Sequence, residues 1–134
     1  MITADSSVWI GYFNGQDSPQ TRALDAALDD SVNEIVLLDV VLMEVLRGFR
    51  YEREWTLARQ ALAQLPVATA SGEGVAVSAA SLYRKLRSSG YTVRSPIDLM
   101  VGAWCIRNDC QLIHADRDFE SMARLEGLQA WRPE

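Results

Sequence analysis

The sequence predicts an α/β fold organised around a buried, mainly parallel sheet. Two observations carry the prediction. Short apolar runs alternate with helical text along the whole chain, and several runs are apolar at successive positions, as strands covered on both faces must be. At 134 residues and 49% hydrophobic content, the chain suits one compact domain, residues 1–134, because a chain of this length buries about two thirds of its unfolded surface.

In chain order, Ile2 to Ala4 reads as a strand that runs into Asp5 and turns at once into a helix from Ser7 to Phe13. The turn-rich Asn14-Gly15-Gln16-Asp17-Ser18 is the expected mobile stretch. Pro19 opens a second helix that reaches Asp29, since proline is pre-organised for a first helical turn and lacks a donor that would go unpaired there. Glu34 to Leu38 is the second strand, followed by a helix from Val40 that Gly48 closes and another from Glu52 to Gln64. Val67 to Thr69 is the third strand. A long helix from Gly74 to Ser89 stops at Gly90, and Pro96 starts one that reaches Asn108. Gln111 to Ala115 forms the fourth strand and ends on Asp116. Phe119 to Leu125 is the last helix, with Gly127 just past it, and Gln129 to Trp131 a fifth strand.

Composition removes several classes of function. The apolar runs at 35–38 and 40–43 are interrupted by Asp39 and Glu44, far short of the roughly 20 residues that span a bilayer. The first residues lack a basic segment followed by an apolar stretch and a small-residue cleavage site, so the cytoplasm is the expected location. Cys105 and Cys110 are expected as free, buried thiols. They suggest no structural zinc site, which needs about four nitrogen or sulfur ligands, because His114 is the single histidine.

The acids carry the functional signal. Asp5 and Asp116 end strands, Asp98 lies in the first turn of the helix that Pro96 opens, and Glu44 stands within Val40, Val41, Leu42, Met43, Val45 and Leu46. In an open parallel sheet the functional crevice lies beyond the carboxyl ends of the strands, so acids far apart in sequence converge there. Like charges crowded in this way raise carboxylate pKa values unless a cation compensates. Oxygen-only ligands suit Mg²⁺ or Mn²⁺, which bind through a few carboxylates plus substrate phosphate. The net charge of −5 disfavours a nucleic-acid partner at first sight. Setting aside Asp5, Glu44, Asp98, Asp116 and Asp118, however, the other acids balance the 13 basic residues, which confines the excess to one cluster. All the basic residues except Lys85 are arginine, which suits planar phosphate contacts, although genome base composition alone produces the same bias.

Each acid also has a purely structural use. Asp5 and Asp116 can cap the helices that follow them. Asp98, three residues after Ser95, fits a capping box with Asp in place of Glu. Glu44 can pair with Arg47 at i+3, yet its apolar surroundings favour a role at a polar site. His114 alternates with Leu112 and Asp116 along its strand and can approach the crevice, but a hydrogen-bonded structural histidine is the simpler expectation. Trp9, Tyr12 and Phe13 are most simply core.

Four strings occur in order: Asp5-Ser6-Ser7-Val8-Trp9-Ile10, Glu44-Val45-Leu46-Arg47-Gly48, Arg94-Ser95-Pro96-Ile97-Asp98-Leu99 and Asp116-Arg117-Asp118-Phe119-Glu120. Together they resemble the PIN-domain toxins of the VapC family over essentially the whole chain. The resemblance implies a three-layer α/β/α sandwich with a central, mainly parallel sheet of four to five strands. It also implies a metal-dependent endoribonuclease of a type II toxin–antitoxin system. Asp5, Glu44, Asp98 and Asp116 would form its acidic quartet, Asp118 would be an auxiliary acid, and Ser7 a hydroxyl near the metal. Asp5, Asp98 and Asp116 are the expected ligands of Mg²⁺ or Mn²⁺, directly or through water, while Glu44 would hold a second ion or position the attacking water. The implied partners are an RNA substrate, a VapB-like antitoxin presenting a basic side chain to the acidic pocket, and a second copy of the chain in a homodimer.

Two other classes fit an acidic α/β crevice. A phosphatase or phosphoacceptor domain also places acids at strand ends, but the first strand lacks an Asp-x-Asp pair and Lys85 falls in helical text instead of at the end of a late strand. A non-catalytic binding module would use the acids to hold a structural ion.

Overall fold

The computed structural model describes residues 1–30 and 34–133. Its elements run β1 (Ile2–Ala4), α1 (Ser6–Phe13), α2 (Pro19–Asp29), β2 (Leu37–Leu38), α3 (Asp39–Arg47), α4 (Glu52–Leu62), β3 (Val67–Ala68), α5 (Glu73–Ser88), α6 (Pro96–Arg107), β4 (Gln111–Ile113) and α7 (Arg117–Glu126). The sheet is built outward from β1. On one side β1 pairs in parallel with β4, in the register Ile2 to Gln111, Thr3 to Leu112 and Ala4 to Ile113. On the other it bridges Ile35, with Ile2 donating to the Glu34 carbonyl at 2.9 Å and Val36 donating back at 3.0 Å. The same segment continues as β2 and pairs in parallel with β3. Beyond β4, Leu112 bridges Ala130 in parallel, and Trp131 donates to the Leu112 carbonyl at 2.8 Å.

All five expected strand segments therefore take part in parallel pairing, but the regular strands are shorter than the apolar runs. β4 stops at Ile113, two residues before Ala115, because His114 Nδ1 accepts a hydrogen bond from the Asp116 amide at 3.1 Å and folds the chain into a turn. β3 stops before Thr69 because the Ala70 amide turns to the Asp39 carboxylate at 2.7 Å. The fifth segment is a single bridge.

Helix starts follow their caps. Asp5 caps α1, Ser18 caps α2 in a reciprocal capping box with Thr21, and Asp116 caps α7, so α7 begins two residues before Phe119. The segment expected to be mobile is held at its end by that box and by Thr21 Oγ1, which donates to the Gln16 carbonyl at 2.9 Å. β1 is buried on both faces and Leu112 and Ile113 are fully buried, so helices cover both sides of the sheet. α5, α6 and α7 pack on one another, while α1 packs on α2 and α3. Trp9, Leu24, Leu37, Leu86, Phe119 and Met122 are among the fully buried side chains of one continuous apolar core, each contributing about 1.5–3 kcal/mol by burial. Gly102 on α6 is part of the close fit: an added Cβ would overlap Met122 Sδ of α7. Cys105 and Cys110 are buried and unpaired. Among the described residues, no helix is long and apolar enough to cross a membrane.

Candidate metal centre

Parallel pairing of β1 with β4 puts the carboxyl ends of both strands at one edge of the sheet. Asp5 follows β1 directly, and its amide makes the last rung of the pairing by donating to the Ile113 carbonyl at 3.1 Å. Its side chain is 6% exposed. One oxygen, Oδ1, accepts from the Val8 amide at 3.1 Å and from the Ser7 hydroxyl at 2.8 Å. Burial pushes the Asp5 carboxyl above its usual range, these two hydrogen bonds oppose that, and the charges of Asp116 and Glu44 add to it.

Asp98 enters from the first turn of α6. Ser95 caps that helix by accepting from the Asp98 amide at 3.2 Å. The Ser95 amide does not donate back to the Asp98 carboxylate, so the capping box is half-made. Burial, followed by the charges of Asp5, Asp116, Glu44 and Asp118, pushes this carboxyl from its ordinary 3.8 to about 6. Asp116 caps α7 by accepting from the Asp118 amide at 2.8 Å, and Asp118 lies in the first turn of the same helix. Asp98, Asp116 and Asp118 each bring one oxygen to within 4.8 Å of the others.

Glu44 stands at the rim. Its Oε1 accepts from the Ser6 hydroxyl at 2.9 Å, and Arg47 lies 3.8 Å from Oε2. Arg47 is 70% exposed, so this pair adds little, and the Ser6 bond is what turns Glu44 towards the end of β1. Ser7 reaches Asp5, as a hydroxyl near the site. His114 is buried beneath the cluster with its ring 5.3 Å from Phe119. Its Nδ1 holds the backbone of Asp116, and its Nε2 is 3.4 Å from Glu120 Oε1 without hydrogen-bond geometry.

The donor set fits a hard divalent cation. It consists of carboxylates, of which Asp5 and Asp98 are raised in pKa first by burial and further by the charges of neighbouring acids, a condition a cation relieves. In an octahedral shell with Mg–O near 2.0–2.1 Å, neighbouring donors sit about 2.9 Å apart and opposite ones about 4.1 Å. The triad therefore needs only to close slightly, or to act through retained waters.

The PIN domain model matches residues 2–125. Ribonuclease VapC11 of Mycobacterium tuberculosis and a VapC ribonuclease of Mycobacterium bovis are each 31% identical to the chain over 130 residues, which cover 97% of both proteins in each case. The chain is a PIN domain of the VapC family. A crystal structure of VapBC2 from Rickettsia felis, bound to a DNA fragment from their promoter, shares the PIN fold with a TM-score of 0.76 at 16% identity over 98% of each chain.

Two polar residues of this PIN domain escape a reading based on isolated acids. Ser6 holds Glu44, and nothing marks it in the sequence beyond its place after Asp5. Asp39 also ends a strand, but its carboxylate is filled by the Val40 and Ala70 amides and the Ser71 hydroxyl, at 2.7–2.9 Å. It clamps β2 to the loop after β3.

Proposed function

We propose that this PIN domain is a Mg²⁺- or Mn²⁺-dependent endoribonuclease, the toxin of a type II toxin–antitoxin pair, acting in the cytoplasm as a single-domain subunit of a homodimer. The observation that carries the reading is the convergence of Asp98, Asp116 and Asp118 on one point, beside the buried Asp5, in a chain whose relatives are named ribonucleases.

The chain's own groups divide the work. Asp5, Asp98 and Asp116 would hold the ion, directly or through water, with Asp118 joining them from the first turn of α7. When bound, the divalent ion supplies a water of lowered pKa and offsets charge developing on the scissile phosphate. Glu44, steadied by Ser6, orients the attacking water or a second ion from the rim. The Asp98 carboxyl, pushed up to about 6 in the metal-free protein by burial and then by neighbouring charge, would have to give up its proton to hold the ion. Buried His114 keeps Asp116 aimed by holding its backbone. The structural neighbour from Rickettsia felis is a VapBC assembly, which supports a VapB-like antitoxin as the restraining partner. A basic side chain of such a partner would bridge the same carboxylates.

The test is cleavage of RNA by the purified protein, with and without EDTA, and with Mg²⁺ or Mn²⁺ restored. Metal-dependent internal cleavage is the expected result, lost when an antitoxin from the adjacent gene is co-expressed. Release of phosphate from small phosphomonoesters with RNA left intact would instead support a phosphatase, and binding of RNA or metal with no turnover a non-catalytic module.

A further inference from the structure

The turn that joins α6 to β4 covers two thiols. Asn108 closes the helix, donating to the Trp104 carbonyl through its amide at 3.1 Å and through its side chain at 2.8 Å. Asp109 then takes the left-handed conformation, with φ 49°, and the Cys110 amide turns back to the Cys105 carbonyl at 3.0 Å. This is the long closing bond of a Schellman cap, in which the residue after the left-handed one packs against the residue five before it. Two apolar side chains commonly make that contact. Here both are cysteines, Cys105 at 1% exposure and Cys110 at 0%.

The two sulfurs meet as unlike groups. The Cys105 thiol donates towards Cys110, which raises Cys105 well above the usual thiol range and lowers Cys110. Cys110 is therefore the sulfur that more readily becomes a thiolate, the nucleophilic form, and a second thiol is already in contact with it. The backbone spacing also suits a bond. An amide–carbonyl distance of 3.0 Å leaves the two Cα atoms no more than about 7 Å apart by bond lengths alone, and side-chain contact brings them inside the roughly 4.4–6.8 Å that a disulfide spans.

We propose that Cys105 and Cys110 form a redox modification site, a pair that hydrogen peroxide converts reversibly into a disulfide across the cap between α6 and β4. The Cys110 thiolate attacks one peroxide oxygen and the O–O bond breaks; the hydroxide released takes the proton that Cys110 gave up and leaves as water. The Cys105 sulfur then displaces hydroxide from the sulfenic acid so formed, and its proton goes to that hydroxide as a second water. Two thiols and one peroxide yield one disulfide and two waters, with two electrons passing from sulfur to oxygen. Residues 107–109 above the pair are exposed, so a reagent as small as peroxide enters when the helix end frays. The bond needs no change of fold, because the cap already holds its partners together, and a dithiol reductant reverses it. It ties the end of the helix that carries Asp98 to the strand that leads to Asp116. The site is independent of the ribonuclease reading.

The experiment uses the full protein, reduced, freed of reductant and treated with hydrogen peroxide. Its intact mass should fall by two hydrogens, maleimide labelling after denaturation should fall from two thiols to none, and dithiothreitol should restore both. Trypsin cleavage after Arg107 separates the cysteines, so the oxidised protein should yield their two peptides joined. The melting temperature should rise by about 5 °C on oxidation and return on reduction, since closing even a short loop restricts the unfolded chain. Cys105→Ala should leave Cys110 to gain oxygen atoms instead, while Cys110→Ala should leave Cys105 unmodified at the same exposure; the wild type decides the matter if either variant fails to fold. Three results would overturn the proposal: thiols that stay reduced at an exposure that oxidises the denatured protein, as a plain apolar cap contact predicts; oxygen atoms added to the wild type without a cross-link; or a cross-link between two chains.

Discussion

Three aspartates, Asp39 and Asp5 just after strands and Asp98 in the first turn of α6, carry three different loads, and substitution separates them. Asp39 is saturated by backbone and hydroxyl donors, so Asp39→Ala should lower stability by about 1–3 kcal/mol, the cost of stranding buried donors; with enough protein folded, RNA cleavage should persist, as urea unfolding and a cleavage assay would show together. Asp98 carries almost no structural load. Asp98→Asn should cut kcat about 10²- to 10³-fold, as loss of a charge-stabilising group does, while leaving the unfolding midpoint unchanged or raised. Asp5 is intermediate because Oδ1 caps α1, so Asp5→Ala mixes loss of activity with a capping cost of about 1 kcal/mol. The pH dependence of the metal-free protein follows from Asp98. Its carboxyl binds a proton more tightly folded than unfolded, with a pKa near 6 against an ordinary 3.8, so its contribution is full below about 3.8 and is lost as pH rises through about 6. Urea midpoints measured in EDTA should fall across that window, and Asp98→Asn should flatten the fall.

At the level of elements, the site depends on α6 and α7 keeping a fixed separation, because one supplies Asp98 and the other Asp116 and Asp118. Gly102 sets that separation by admitting Met122. Gly102→Ala should cost about 1–3 kcal/mol through overpacking and should also weaken Mn²⁺ binding, although residue 102 lies outside the carboxylate cluster; calorimetric titration checks the second effect. Much of this organisation was legible in the sequence. A buried strand followed by a carboxylate and a helix describes both Asp5 and Asp116, and Pro96 after Ser95 located the turn that carries Asp98. The strand ends were not legible, because apolar text continues past the last pairing and a side-chain bond, His114 to Asp116 or Asp39 to Ala70, decides where the ladder stops. Asp118 was placed in the same cluster from the sequence, but only as an auxiliary acid, whereas its carboxylate approaches those of Asp98 and Asp116 as closely as they approach each other, within 4.8 Å. Two residues past the N-cap Asp116, a side chain's direction depends on the cap, and the Asp116 cap brings Asp118 round to the same side.

For the molecule as a whole, the core forms without the ion, since one continuous apolar cluster extends from α1 to α7. EDTA should therefore abolish cleavage while the far-ultraviolet circular dichroism stays native. Mn²⁺ at 100 times its Kd should add about 2.7 kcal/mol of stability at neutral pH, and less near pH 5, where Asp98 holds its proton against the metal. A gain that did not vary with pH would show that Asp98 is not a ligand.

The pairing of β1 with β4 also has a temporal side. Residue 2 is in register with residue 111, so β1, which meets the Ile35 segment on its other side, gains β4 only once residue 111 has been made. Asp5 then meets Asp98 and Asp116 only when nearly the whole described chain has left the exit tunnel, and closing so long a loop is slow. A centre assembled across that span is incomplete until both residue 98 and residue 116 have been made.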